Sequence, residues 1–114
     1  MEGEAAQLAA AASEGVVVAR RDGRSPEDLR ALAQAVRRRP EVRAAVVGGA
    51  PSEGKVSIAV ATGGDPDAGA LVKQIAPIVQ GGGGGSPEVA LAGGRDASRL
   101  DEALGEARRL LAGV

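Results

Sequence analysis

Five consecutive glycines, Gly81–Gly85, run straight into Ser86-Pro87-Glu88-Val89-Ala90-Leu91-Ala92-Gly93-Gly94, and this stretch constrains the chain more than any other. A glycine run of this kind ordinarily reads as a flexible linker. Here it stands between an apolar run ending at Val79 and a capped helix expected from near Asp96. Only about 20 residues follow Gly94, well below the roughly 40 that a separate domain needs. The glycines therefore lie inside one domain. There they give a backbone that can reach left-handed conformations and approach a ligand or another chain closely.

The core must be assembled without aromatic residues. Of the 114 residues 44% are hydrophobic, almost half of these are alanine, and Phe, Tyr and Trp are absent. Val, Leu and Ile must supply the burial, at about 1.5–3 kcal/mol for each side chain fully removed from water. That suits a modest single domain.

Other absences narrow the chemistry. The chain has no Cys and no His, so it offers no thiolate or imidazole for a metal and no side chain that titrates near neutrality. Catalysis would have to rest on Asp, Glu, Lys or Ser, and no cofactor is implied. Without aromatics there is no platform for stacking bases. No apolar run approaches the roughly 20 residues of a membrane span. Glu2 and Glu4 stand where a signal peptide would be basic, so the expected setting is the cytoplasm. A formal net charge of −1 argues against strong non-specific nucleic-acid binding but leaves room for a local basic patch.

Periodicity predicts an α/β domain with a small mixed sheet and packed helices, in the order β-α-β-β-α-β-α. Residues 4–13 favour helix but carry only one large apolar residue, Leu8. Val16–Ala19 reads as a buried strand. Ser25, Pro26 and Asp28 signal a helix start, Leu29, Leu32, Ala33 and Val36 form its inner face, and Arg37-Arg38-Arg39 closes it. Val42–Val47 and Lys55–Ala61 read as a hairpin with a long loop, the second strand half-exposed. A helix over 67–79 is expected to loosen at Pro77. Val89–Ala92 reads as an edge strand. The last helix carries Leu100, Leu104, Ala107 and Leu111 inward, with Asp96 or Ser98 as its cap and Ser98 with Asp101 as a capping box.

The glycine segment, followed by Arg95-Asp96-Ala97-Ser98-Arg99-Leu100-Asp101-Glu102-Ala103-Leu104, resembles the C-terminal domain of alanyl-tRNA synthetases. That domain belongs to the DHH-associated family, shared with DHH phosphoesterases. Glu53-Gly54-Lys55-Val56-Ser57 and Asp67-Ala68-Gly69-Ala70-Leu71-Val72 extend the likeness, which covers roughly 14–112. The resemblance implies that 1–13 is the tail of a preceding helical segment and 14–114 the globular domain. It implies a non-catalytic domain that contacts the elbow of tRNA, specifically alanine tRNA, and links aminoacylation with editing. Its partners would then be tRNA and the catalytic and editing domains, with a homo-oligomer possible and no membrane. The implied RNA contacts are Lys73, Gly81, Gly82, Gly83, Gly84, Gly85, Ser86, Gly93, Gly94 and Arg95. The family usually carries lysine where this chain has Gly82, arginine at Ser86 and glutamine at Leu91, so weaker RNA binding is expected. The phosphoesterase branch carries Gly-Gly-Gly-His, and this chain has no histidine.

Each candidate site also has a plain structural reading. The glycine run could cradle phosphate through successive N–H groups, or merely permit a tight crossing. Gly93-Gly94-Arg95 precedes a helix N-terminus, which favours anions, though Asp96 competes for the same donors. Arg37-Arg38-Arg39 and Arg108-Arg109 could meet phosphate or simply be solvated helix ends. Asp65 and Asp67 have metal-ligand spacing, but helix capping explains them. Besides tRNA binding, a protein–protein or oligomerisation module and the substrate-binding domain of a DHH-type phosphoesterase remain as alternatives.

Overall fold

A computed structural model describes residues 2–112. The β-branched runs form strands and the periodic segments form helices, as their side-chain spacing requires. In chain order they are α1 (Glu2–Ala10), β1 (Val16–Arg20), α2 (Pro26–Arg37), β2 (Ala44–Gly49) and β3 (Val56–Ala61). Then come α3 (Ala68–Ile75), β4 (Gly82–Gly85), β5 (Val89–Gly94) and α4 (Leu100–Ala112). The strands form one mixed sheet in the order β1-β2-β3-β5-β4. Only β1 and β2 run parallel; the other neighbours are antiparallel.

Helices cover both faces of the sheet. On one side Leu29, Leu32, Ala33 and Val36 of α2 meet Val17, Val47 and Ala59, with Ala5 and Ala9 of α1 joining them. On the other, Leu71, Val72 and Ile75 of α3 and Leu100, Leu104 and Leu111 of α4 meet Val46, Ile58 and Val60. This corrects the half-exposed reading of β3. All six of its residues are buried, because its alternating side chains enter two cores rather than one core and water. Val18, expected in the core, is only half-buried.

The helix ends follow their sequence signals. Ser25 Oγ accepts the Asp28 N–H at 3.1 Å, and Asp67 Oδ1 accepts that of Ala70 at 3.0 Å. Pro77 cannot continue an α-helix, and α3 tightens there into a 3-10 turn over Ala76–Val79. The Ser98–Asp101 capping box does not form. Ser98 lies in a 3-10 turn, its N–H and hydroxyl both donate to Asp96, and Asp101 instead pairs with Arg20 at 3.0 Å.

Two corrections bear on the site. The glycine run is not a loop: Gly82–Gly85 is strand β4. Consequently β5 is not an edge strand. It lies between β3 and β4, and β4 takes the edge.

Candidate nucleic-acid interface

The glycine strand pairs with the glycines that follow it in sequence. Gly82 stands opposite Gly93, Gly83 opposite Ala92, Gly84 opposite Leu91 and Gly85 opposite Ala90. Ser86 closes the turn: its N–H donates to Val89 O at 2.9 Å, and its Oγ accepts the Val89 N–H at 3.1 Å. Pro87 O accepts the N–H of Ala68 at 2.8 Å, which ties the turn to the start of α3. In a strand, successive N–H groups point to opposite sides. The run therefore has no convergent cradle of consecutive donors, and of the two alternatives the tight crossing fits the strand better than the phosphate nest.

The glycines fall into two classes. A Cβ at Gly83 would stand 2.4 Å from Leu91 O and 3.0 Å from Val72 Cγ1; one at Gly81 would stand 1.8 Å from Gly93 O. At Gly85 the nearest atom, Val89 O, lies at 2.5 Å. These positions require glycine because β4 lies so close to the β5 backbone, with α3 packed against it. At Gly82 and Gly84 an added Cβ would meet nothing within 4 Å. Their open side is the sheet face that also carries Leu91, opposite the face packed by α3. Two positions where the resemblance expects lysine and glutamine, Gly82 and Leu91, thus share one face.

The cations divide in the same way. Gly81, Gly82, Gly93, Gly94 and Arg95 come together at one end of the β4–β5 ribbon, where the Arg95 and Asp96 N–H groups donate to Val79 O at 2.9 and 3.0 Å. Arg95 is exposed. Lys73 is exposed on α3, one residue past Val72, which backs Gly83. Ser86 sits at the other end of the ribbon, so the predicted residues do not form one tight cluster. At the start of the last helix, Asp96 has already taken the Ser98 N–H. Elsewhere, carboxylates occupy several of the arginines. Glu4 holds Arg21 at 2.8 Å and Arg24 at 2.6 Å, and Glu102 and Glu106 hold Arg99 and Arg109. The Arg24 hydrogen bond, with Arg21 assisting, keeps the Glu4 carboxyl below its ordinary pKa. The Arg99 and Arg109 hydrogen bonds do the same for Glu102 and Glu106.

Arg37 and Arg38, weighed from the sequence as phosphate contacts or a solvated helix end, align with Arg30, which the sequence reading did not single out. Arg30, Gln34, Arg37 and Arg38 recur at helical spacing along one flank of α2. Arg30 lines a cleft of about 340 Å³ against Gly84, Ser86 and Leu91. The signal was present as an i, i+4, i+7, i+8 pattern beside the apolar face, but the strand it faces was not foreseen. Asp65 and Asp67 hold no metal arrangement: among the described residues no group of three His, Cys, Asp or Glu could bind one. Among those residues no helix is long and apolar enough to cross a membrane.

Known proteins share this architecture. The C-Ala domain of alanyl-tRNA synthetase from Aquifex aeolicus superposes with a TM-score of 0.74 at 23% identity, over 81% of this chain and 86% of that one. In sequence, the alanine–tRNA ligase of Nostoc punctiforme is 41% identical over 97 residues. That of Pelotomaculum thermopropionicum is 70% identical over 37 residues. The Nostoc match takes in 81% of this chain but 11% of the ligase, so the chain spans about a ninth of such a relative. The likeness drawn from the glycine segment is thereby borne out. The DHHA1 domain model matches residues 13–113, which takes in every strand and all but the first helix, and the chain belongs to that family.

Proposed function

We propose that this domain is a non-catalytic, tRNA-binding accessory part of an alanyl-tRNA synthetase. The observation that carries the reading is the likeness to alanine–tRNA ligases across 81% of the chain. In this reading the domain docks on the elbow of alanine tRNA and brings aminoacylation and editing to bear on one molecule in the cytoplasm. Recognition runs through shape and backbone, since the chain has no aromatic residue to stack on bases. Residues 1–13 are the tail of a preceding helical segment and 14–114 the globular domain.

Lys73, Arg95 and the β4–β5 ribbon, from Gly81–Gly85 and Ser86 to Gly93 and Gly94, form the contact surface of this proposal. Each phosphate contact contributes about −0.9 to the slope of log K against log salt, so Lys73 and Arg95 account for a slope near −2. Gly82→Lys adds a cation where an added Cβ meets nothing within 4 Å, and it should tighten binding. Ser86→Arg is the poorer test, because it removes the hydroxyl that accepts the Val89 N–H. Fluorescence anisotropy of a labelled alanine tRNA transcript, titrated with the domain over a salt series, measures both quantities. Absence of salt-dependent binding rejects the reading.

A second reading draws on one observation. Strand β4 is an exposed edge built of glycine alone, without the charges or proline that usually discourage strand addition. That edge suits a protein partner or a second copy. Sedimentation of the domain alone, with a concentration-dependent dimer and no affinity for tRNA, would favour it.

A further inference from the structure

Helix α2 lies across β2 and β3 and leaves the same face of β5 and β4 open to solvent. Val89 and Leu91 remain only half-buried there. Arg30 overlooks this face across the cleft of about 340 Å³. Further along α2, Gln34, Arg37 and Arg38 line a second cleft of about 250 Å³ against Gly63 and Glu88. Val89 lines both, so the two lie side by side as the two ends of one grooved face.

The groove is cationic and its cations are unused. Arg30, Arg37 and Arg38 make no ion pair among the described residues, whereas Arg20, Arg21, Arg24, Arg99 and Arg109 all do. The Arg37 guanidinium lies on the bare backbone of Gly63, with Nη2 2.2 Å from where a Cβ would stand. Its Nε is shielded from solvent without an acceptor. A half-buried guanidinium lacking a counter-charge is unfavourable, and an incoming anion would offset this. One carboxylate, Glu88, lines the groove against three arginines.

The spacing selects the kind of anion. Arg30 and Arg37–Arg38 stand two turns apart, about 10–12 Å along the helix axis. That is too long for one phosphate and suits successive phosphates along a nucleic-acid strand. The groove has no aromatic platform for bases, and its guanidinium groups suit phosphate oxygens along a backbone.

We propose that this groove binds the phosphodiester backbone of RNA, extending the contact surface from the open face of the β4–β5 ribbon onto α2, on the side of the sheet opposite Lys73. The proposal rests on the reading of the domain as a tRNA binder. Three further phosphate contacts would steepen the salt slope from near −2 to about −4 to −5.

The test uses the whole domain and an alanine tRNA transcript. Arg30→Gln/Arg37→Gln/Arg38→Gln is expected to lower affinity about tenfold or more at low salt and return the slope to near −2. Because Arg37 is half-buried, Arg30→Gln/Arg38→Gln, at two exposed positions, serves as the folding-neutral variant and should flatten the slope by about 2. Glu88→Gln should tighten binding by removing the opposing charge. Wild-type binding whose affinity and slope are indifferent to the α2 variants overturns the groove and leaves the tRNA reading intact. If the wild type binds no tRNA, the functional reading fails, and a short single-stranded RNA decides the groove separately. Amide shifts at Gln34, Gly63 and Val89 that vanish in the double variant support it, and no shift there overturns it.

Discussion

Replacing adjacent glycines of β4 by alanine should move stability in opposite directions. At Gly83 the new Cβ stands 2.4 Å from Leu91 O and 2.6 Å from Ala92 Cα, both backbone atoms. No rotamer change relieves a backbone clash. Ordinary contact begins about 1 Å further out, so β4 must move away from β5 by about that distance. Overpacking of this kind costs about 1–3 kcal/mol, and each ladder hydrogen bond stretched beyond use adds about 0.5–1.5 kcal/mol. At Gly82 nothing lies within 4 Å. Alanine there restricts the unfolded chain and stabilises by about 0.4–1 kcal/mol. From overpacking alone the two variants should therefore differ by about 1.5–4 kcal/mol. At about 4 °C per kcal/mol for a domain of this size, the gap in Tm is about 6–16 °C. Calorimetry and urea unfolding of both variants measure it. Shifts of the same sign and similar size would refute the close approach of β4 to β5. Damage at Gly82 with tolerance at Gly83 would show a register slipped by one residue, which exchanges the two faces.

Leu104→Ala should destabilise the domain by about 2–5 kcal/mol in urea unfolding, because the side chain is buried between α4 and the sheet. A loss below about 0.5 kcal/mol would mean that α4 does not pack as described. The pairing of Glu4 with Arg24 and Arg21 predicts that α1 loosens in acid. The carboxyl titrates below its ordinary value of 4.5 in the folded state, so its contribution is complete above that value and is lost as pH falls through the depressed one. Hydrogen exchange at the α1 amides should accelerate, relative to the core strands, as pH falls below 4.5 and through the depressed pKa of Glu4. Glu4→Gln should remove that dependence; an unchanged profile would mean that the ion pairs do not dock the helix.

Several features followed from local chemistry that tertiary contacts could not override. Ser25-Pro26 and Asp67 start helices because their side chains or ring satisfy or tolerate the free N–H groups of a first turn. Pro77 ends the α-helical part of α3 for want of a donor. The periods of Leu29–Val36 and Leu100–Leu111 determined which helix faces turn inward. The glycine stretch carried enough specificity to indicate the family.

Other features depended on contacts between segments far apart in sequence. Lys55–Ala61 alternates like a strand with one wet face, yet α2 closes over the polar-looking side and buries Ser57 and Ala59. Nothing in a run of glycines states a strand, because glycine has no side chain to alternate and weak strand propensity. Gly82–Gly85 is a strand because β5 offers a free edge, and the β5 backbone comes too close for a Cβ at Gly83. The α2 arginines likewise gained a partner surface only when β4 took the far edge of the sheet. The sequence by itself determined the local conformations, the helix boundaries and the family. The tertiary structure decided which bare backbone is required, which is free, and which cations look across an open face, because each of these is a distance between segments that local propensity does not encode.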